Sequence, residues 1–357
     1  MRLVSGAVGR LGAVLPVAVL CLIGAPPASS QTTKLRVSLP ISIDSAIGQN
    51  IREFARQVEA LTGGAVKFEL QVKDRLYDEL GIVSGVSTGA IEIGTTSLNQ
   101  FAHYAPLAGA FLQPFLFNFD ALVQAATSRE SKIRVLIERE ILHGTNARVL
   151  WWQPYGSSVI LSRSILATNP AAIAARFVGA PDDQIRELMW VCGAMTVPVL
   201  PASISAQLQS GAIAVAAADI TNVAEHELWR VADTIINLRH APSLFAVVIN
   251  EKAWQALAPA QQQILSEVAE DAQDVMWARF ATTRAEAFAA AVQKGVRIVE
   301  PSADDIAQWR ACSAALLEAY MARAGQAGPK LFEAYGKLRT ERCCRDAPSG
   351  EEHFSNR

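Results

Sequence analysis

Two short stretches of this chain, 122 positions apart, share one shape. Residues 86–94 read Val-Ser-Thr-Gly-Ala-Ile-Glu-Ile-Gly and residues 208–216 read Leu-Gln-Ser-Gly-Ala-Ile-Ala-Val-Ala. Each ends a helical run at Ser/Thr-Gly and continues into β-favouring residues, at Ile91 and Ile93 in the first copy and Ile213 and Val215 in the second. Gly89 and Gly211 stand where a helix C-terminus needs a positive φ, which glycine adopts without a Cβ clash. Any two α/β units can match over nine residues. Repeated α-turn-β units of this kind are also what two similar lobes with a ligand between them would show.

The N-terminus reads as a secretory signal. Arg2 and Arg10 precede an apolar run, Leu11 to Ala25, that is short for a membrane span and interrupted by Pro16. Pro26 and Pro27 lead to Ala28-Ser29-Ser30, small residues of the kind a signal peptidase cuts after, so residues 1–30 are expected to be removed. A lipid anchor at Cys21 is disfavoured by the bulky Leu20 before it. The remaining 327 residues suffice for two separate cores. Without Arg2 and Arg10 the chain has 30 basic against 34 acidic side chains, which excludes a nucleic-acid or anionic-membrane surface of the usual basic kind. No later apolar stretch is long enough to span a bilayer, so the product is expected to be exported and not membrane-spanning.

Four cysteines follow the signal: Cys192, Cys312, Cys343 and Cys344. None has metal-ligand spacing, and adjacent cysteines rarely bond to each other. Cys192 and Cys312 lie in apolar runs and read as small buried hydrophobes.

Along the chain, strand and helix patterns alternate. Leu35–Leu39 reads as a strand and Ala46–Leu61 as a helix with Ile47, Ile51, Phe54, Val58 and Leu61 on one face. Val66–Val72, a helix to Thr88 and the Gly89 turn complete a βαβαβ opening, which implies a parallel sheet covered by helices. A loop at 106–119 and a helix near 121–141 come next. Strands follow at Ala147–Trp152 and Ser157–Ser162, separated by a break at Pro154-Tyr155-Gly156 that reads as a crossing between lobes. The pattern then repeats through Arg176–Val178, helices near 182–191 and 203–210, and Ile213–Ala217, before strands at Thr234–Leu238 and Ser243–Ile249. Pro259 to Val292 reads as one helix roughly 50 Å long, enough to underlie two lobes. A strand at Arg297–Val299 and helices near 303–323 and 330–339 complete the pattern.

These pieces, in this order, resemble the extracytoplasmic substrate-binding subunits of tripartite ATP-independent periplasmic (TRAP) transporters, of the dicarboxylate-binding type. The resemblance spans roughly residues 34–325. It rests on Thr62-Gly63-Gly64, Gly89-Ala-Ile-Glu-Ile-Gly94, Gln113-Pro-Phe-Leu-Phe117, Gln209-Ser-Gly211 and Asn250-Glu-Lys-Ala-Trp254. It implies an α/β fold, a two-lobe periplasmic binding protein (a type II-like clamshell) with a long helix spanning both lobes. The expected first lobe is 31–155 with 244–283, the second 156–243 with 284–325, and 326–357 forms a C-terminal helix and polar tail. It further implies capture of a small organic acid or related solute, delivery to the small and large membrane subunits of the transporter, a periplasmic location and no cofactor.

The departures from the family pattern concern charge. Such proteins hold a ligand carboxylate with an arginine in a Gly-Leu-Lys-Ile-Arg-Val-Pro-like strand, where a planar fork binds both oxygens. Here the stretch is Ala175-Arg-Phe-Val-Gly-Ala-Pro181, which places Gly179 at the arginine. Arg176 is an odd step away and is expected on the opposite face. A second family arginine falls at Ser158, and the usual Asp-Gly-x-Glu is Ala214-Val-Ala-Ala217. Either the pocket has been rebuilt for a solute other than a simple dicarboxylate, or this copy serves a sensor kinase or has lost transport.

In open α/β sheets ligands bind beyond the carboxyl ends of strands. That rule nominates Thr95, Ser97 and Asn99 after the first repeat and Asp219 and Asn222 after the second, together with Trp152, Tyr155, Ser158 and Gly179. Helix capping is the competing role for Thr95, Ser97 and Asn222. For Trp151 and Trp152 it is core packing, one of the pair being expected to face the core and the other the cleft or solvent. His240 precedes the strand returning to the first lobe, where a structural histidine is favoured over a ligand contact. The phosphate loop and the His-Glu-x-x-His helix are missing from the sequence, and Glu225-His226-Glu227 reads as a solvated helix face, so neither catalysis nor a metal site is expected.

Overall fold

The computed structural model describes residues 32–72 and 79–343. The expected signal peptide and Cys344 lie outside the described residues. The first half of the chain runs β1 (Thr33–Leu39), α1 (Ala46–Leu61), β2 (Val66–Val72), α2 (Glu79–Thr88), β3 (Ile93–Ser97), α3 (Asp120–Thr127), α4 (Lys132–Thr145) and β4 (Ala147–Ser162). The second runs α5 (Pro170–Ile173), β5 (Phe177–Ala180), α6 (Asp183–Val191), β6 (Met195–Pro198), α7 (Ile204–Ser210), β7 (Val215–Asp219), α8 (Ile220–Glu225) and β8 (Thr234–Ile236). The chain closes with β9 (Pro242–Asn250), α9 (Glu251–Ala256), α10 (Pro259–Gln293), β10 (Arg297–Val299), α11 (Ala303–Ala324) and α12 (Gly328–Cys343).

The helices begin and end where local chemistry dictates. Ser45 caps α1 by accepting from the Gly48 amide, and the buried stripe of Ile47, Ile51, Phe54 and Val58 fixes which face meets the sheet. The two repeat glycines adopt nearly the same backbone, φ 76° at Gly89 and 75° at Gly211. Each is followed four residues later by a strand, β3 and β7, parallel to the first strand of its own half: Val37 pairs with Ile93, and Val178 with Val215. The repeat therefore occupies the same place in two similar lobes.

The strand path is β2-β1-β3-β9-β4-β7-β5-β6, with β8 on β4 and β10 on β8. The expected break at Pro154-Tyr155-Gly156 does not end a strand. β4 runs unbroken from the first sheet, where it pairs antiparallel with β9, into the second, where Ser158–Ser162 pairs with β7 and β8. Pro154 has no amide to donate, and the ladder absorbs the irregularity as a register shift between Pro154 and Gly156. The single helix expected near 121–141 is two, α3 and α4, because Ser131 caps a new start with its hydroxyl. The loop at 106–119 contains a 3-10 turn, Pro106–Leu112.

Helix α10 has 35 residues and crosses both lobes. Leu265, Val268, Ala272 and Met276 enter the core around α1 and β1, whereas Ala287, Phe288 and Ala291 enter the core around β7 and α8. Helix α11 also bridges: Trp309 is fully buried in the second lobe, its indole N–H donating to Thr168 O at 2.8 Å, and Tyr320 is buried in the first. One expectation is overturned at α11. Cys192 and Cys312 are not separate apolar side chains but a disulfide, Cα–Cα 5.1 Å, joining the C-terminus of α6 to α11. Their separation of 120 positions hid a proximity that only the fold creates. Among the described residues no helix is long and apolar enough to cross a membrane.

Candidate functional site

The carboxyl ends of β3, β5 and β7 converge on a cavity of about 40 Å³ between the lobes. Ser97 and Asn99 line it from the first lobe. Ser158, Asp182 and Asp219 line it from the second, with His240 just before β9 and Ser243 at its start. Leu112, Pro114 and Gln184 also border a wider chamber of about 490 Å³ alongside it.

Each polar wall is held by backbone geometry. Ser97 ends β3 and accepts from the Asn99 amide at 3.3 Å, so it caps the short turn Leu98–Phe101 while lining the cavity. The Glu79 carboxylate accepts from the Ser97 amide at 3.2 Å, fixing that turn to the start of α2. Across the cleft, Asp182 caps α6 by accepting from Ile185 N at 2.9 Å, and Asp219 lies opposite Ser158 in the β4–β7 register. Tyr155 bridges the lobes: its hydroxyl contacts Asn222 Oδ1 at 3.1 Å and Glu225 Oε2 at 3.3 Å on α8. The same hydroxyl holds its proton above the ordinary tyrosine range, mainly through burial and then through the Glu225 and Asp219 charges.

The other nominated residues lie elsewhere. Thr95 is fully buried in β3, where its hydroxyl accepts from Gln153 Nε2 at 3.5 Å. Trp152 and Trp151 point to opposite faces of β4, as neighbours must, but both faces are core. Trp152 packs at a tilt against Phe111, ring centroids 6.0 Å apart, and donates to Glu138 Oε1 at 2.7 Å. Gly179 has no room for a side chain: a Cβ there would stand 2.7 Å from Ile213 Cδ1 and 3.1 Å from both Val199 methyls. Arg176 is exposed and spends its guanidinium on Ala172 O. Glu92 sits just before β3, at the end away from the cleft, and forms a two-point pair with Arg36 at 2.9 and 2.7 Å. Asn222 is inside α8 and caps nothing. Glu225 ends α8 and Glu227 has a positive φ, so Glu225-His226-Glu227 is not one helix face.

Sequence reasoning missed Asp182 as a cavity residue. The strand-end rule, applied to β5 as it was to β3 and β7, points to Asp182 two residues beyond Ala180. His240, for which the sequence favours a structural role over a ligand contact, lines the cavity, and the Phe115 amide donates to its carbonyl at 2.6 Å.

The electrostatics of this cavity run counter to those of a carboxylate site. Burial pushes the Asp219 carboxyl up to about 7, with a hydrogen bond from Ser243 opposing and the Asp182, Glu225 and Glu79 charges adding to the rise. Burial likewise raises Asp182 and lowers His240 to about 4. The signs give a pH test. Asp219 binds its proton more tightly folded than unfolded, so it erodes stability as pH rises from about 4 to 7. His240 binds its proton less tightly folded, so over about 4 to 6.5 its contribution rises with pH and opposes that of Asp219. Asp219→Asn should therefore melt higher than the unaltered protein at pH 8, on the order of 2 kcal/mol after allowance for partial exposure, and equally near pH 4. Calorimetric melts from pH 4 to 8 check this, and a constant gap between the two proteins across that range would refute it.

Comparison with known proteins agrees with this geometry. The model of the family described as bacterial extracellular solute-binding protein, family 7, matches residues 41–324. The 2,3-diketo-L-gulonate-binding periplasmic protein of Escherichia coli K12 is 26% identical over 223 residues, covering 62% of this chain and 67% of the relative. A solute-binding protein of Roseobacter denitrificans is 22% identical over 249 residues, 70% of this chain and 75% of the relative. Among solved structures, a Bordetella pertussis extracytoplasmic solute receptor binding pyroglutamic acid superimposes with TM-score 0.78 at 18% identity, over 85% of this chain and all of that one. A TRAP periplasmic solute-binding protein from Sulfitobacter with bound β-D-galacturonate gives 0.75 at 16% identity, over 86% of this chain and 100% of that one.

Proposed function

Because the chain belongs to bacterial extracellular solute-binding protein family 7, we propose that it is a periplasmic receptor whose two lobes enclose a small organic acid or related solute and pass it to the membrane subunits of a TRAP transporter. The observation that carries this is the cavity itself, lined by Ser97 and Asn99 from one lobe and by Ser158, Asp182 and Asp219 from the other. A ligand touching both walls binds the closed arrangement better than an open one, so binding and closure are one equilibrium. Release to a transporter, not chemical turnover, is the step this site serves.

The solute is not a C4-dicarboxylate. Two arginines are the usual anchors for such an anion, and here one position is Ser158, whose hydroxyl is donated to Ala241 O at 3.1 Å. The other is Gly179, whose side-chain space is filled by Ile213 and Val199. A thermal-shift screen of organic acids, including aromatic ones, is expected to return a stabilising compound, with succinate and malate giving little. A true ligand at 100 times its dissociation constant adds about 2.7 kcal/mol. Strong stabilisation by succinate would show that the arginines are dispensable and the argument wrong.

A further inference from the structure

At the crossing between the lobes a second pocket, of about 20 Å³, adjoins the cleft: Ala241, Pro242, Ser243 and Leu244 line both. Phe117, Phe119, Val123 and Phe280 give it an apolar wall. Trp277 of α10 and Arg239, which follows β8, also line it. Trp277 belongs to the first-lobe core, whereas Leu238, next to Arg239, belongs to that of the second. Both lobes therefore build this pocket.

Two donors in the lining are unanswered. Trp277 is 7% exposed, and its indole Nε1–H is shielded from solvent and has no acceptor; the Nε–H of Arg239 is in the same state. An indole N–H and a guanidinium N–H can only donate. Both orphaned groups therefore call for the same kind of partner, an acceptor. Charge narrows the choice. Arg239 forms no ion pair among the described residues, and Asp120, the carboxylate in the lining, is already paired with Arg284 of α10. A water accepts two hydrogen bonds but leaves the guanidinium without a counter-ion. An anion meets both needs.

We propose that this pocket binds one small anion, the size of a carboxylate group, between Arg239 Nε and Trp277 Nε1. The volume admits one such group and not a whole organic acid. Its source is either a free anion of the medium or, resting on the receptor reading, the carboxylate end of the captured solute, whose remainder lies in the adjoining cleft. In the second case Arg239 takes the part that Ser158 and Gly179 cannot play, and the carboxylate keeps away from Asp182 and Asp219.

The test uses the full exported chain. Acetate and bromide are titrated at constant ionic strength against gluconate, which is too large for the pocket, with tryptophan fluorescence and thermal shift as readouts. Crystals soaked in bromide are scanned for anomalous scattering. Both anions are expected to bind saturably, bromide to quench a part of the emission that Trp277→Phe removes, and the anomalous peak to lie between Arg239 and Trp277. Arg239→Gln and Trp277→Phe should each weaken acetate by at least about tenfold, since each removes one hydrogen bond to a charged group. Arg239→Lys, which keeps the charge but not the Nε–H, should lose less than Arg239→Gln. Unchanged melting in gluconate separates lost binding from lost folding, and the bromide map of the unaltered protein needs no variant at all. No saturable response to either anion, a pocket that holds only water in the bromide map, or an unchanged acetate affinity in Arg239→Gln would each overturn the assignment. With the acid returned by the wider screen, competition by acetate and weaker binding to Arg239→Gln place its carboxylate here, whereas independent binding of the two assigns the pocket to a free anion. A stabilising solute with no anion in this pocket sinks the anion assignment alone; an anion here and no stabilising solute in the screen sinks the receptor reading alone.

Discussion

Replacing Cys192 and Cys312 together by serine is expected to cost about 4–5 kcal/mol of stability, because the bond closes a loop of 120 residues in the unfolded chain. For a chain of this size that corresponds to roughly 6–8 °C in melting temperature. The bond ties the C-terminus of α6, beside the strand end that carries Asp182, to the bridging helix α11. Scanning calorimetry with and without reductant should show the unaltered protein falling to the level of the double variant, while the variant itself does not respond to reductant. A reductant-independent melt of the unaltered protein would mean that the cysteines are free. The same bond accords with an oxidising compartment, where such cross-links form and persist, and so with export by the N-terminal segment.

Gly179→Arg restores the arginine that the resemblance implies and is expected to damage the protein rather than return dicarboxylate binding. The new Cβ starts 2.7 Å from Ile213 Cδ1 and 3.1 Å from the Val199 methyls, so the guanidinium has to pass through a filled apolar layer. Overpacking of this kind costs about 1–3 kcal/mol, and placing an unpaired charge inside adds several more. We expect loss of at least about 4 kcal/mol, or failure to accumulate folded protein, with Gly179→Ala losing far less. Expression yield and chemical denaturation of both variants decide the matter; an arginine variant with an unchanged unfolding midpoint would show that β5 can open a route to the cleft. The glycine is thus matched to the filled apolar layer around it.

Much of this architecture was legible because it is local. The αL glycines at 89 and 211 and the apolar stripe of α1 each speak through residues a few positions apart. What stayed hidden depends on residues far apart in sequence. Whether Trp152 meets a cleft or a core is decided by Phe111 and Glu138, not by its place in β4. The disulfide needs α6 and α11 to be docked first. Pro154 looked like a terminator because proline lacks an amide, yet β4 and β9 pair on both sides of it and tolerate one lapse. At the site, strand ends identified Ser97 and Asp219, while the charge balance of the cavity emerged only when Asp182 and His240 were seen beside them.

The position of β9 has a consequence for the order in which the molecule can be completed. β9 lies between β3 and β4, although it is the last strand of that sheet in the chain. A nascent chain that has emerged only as far as β8 therefore has β3 and β4 facing each other across an unfilled slot, with their backbone edges unpaired. The first lobe cannot close its sheet until residues 242–250 arrive, after the larger part of the second lobe has been made. Long-range closure of this kind is slow, and a chain that folds late is one that can still be threaded through a secretion channel.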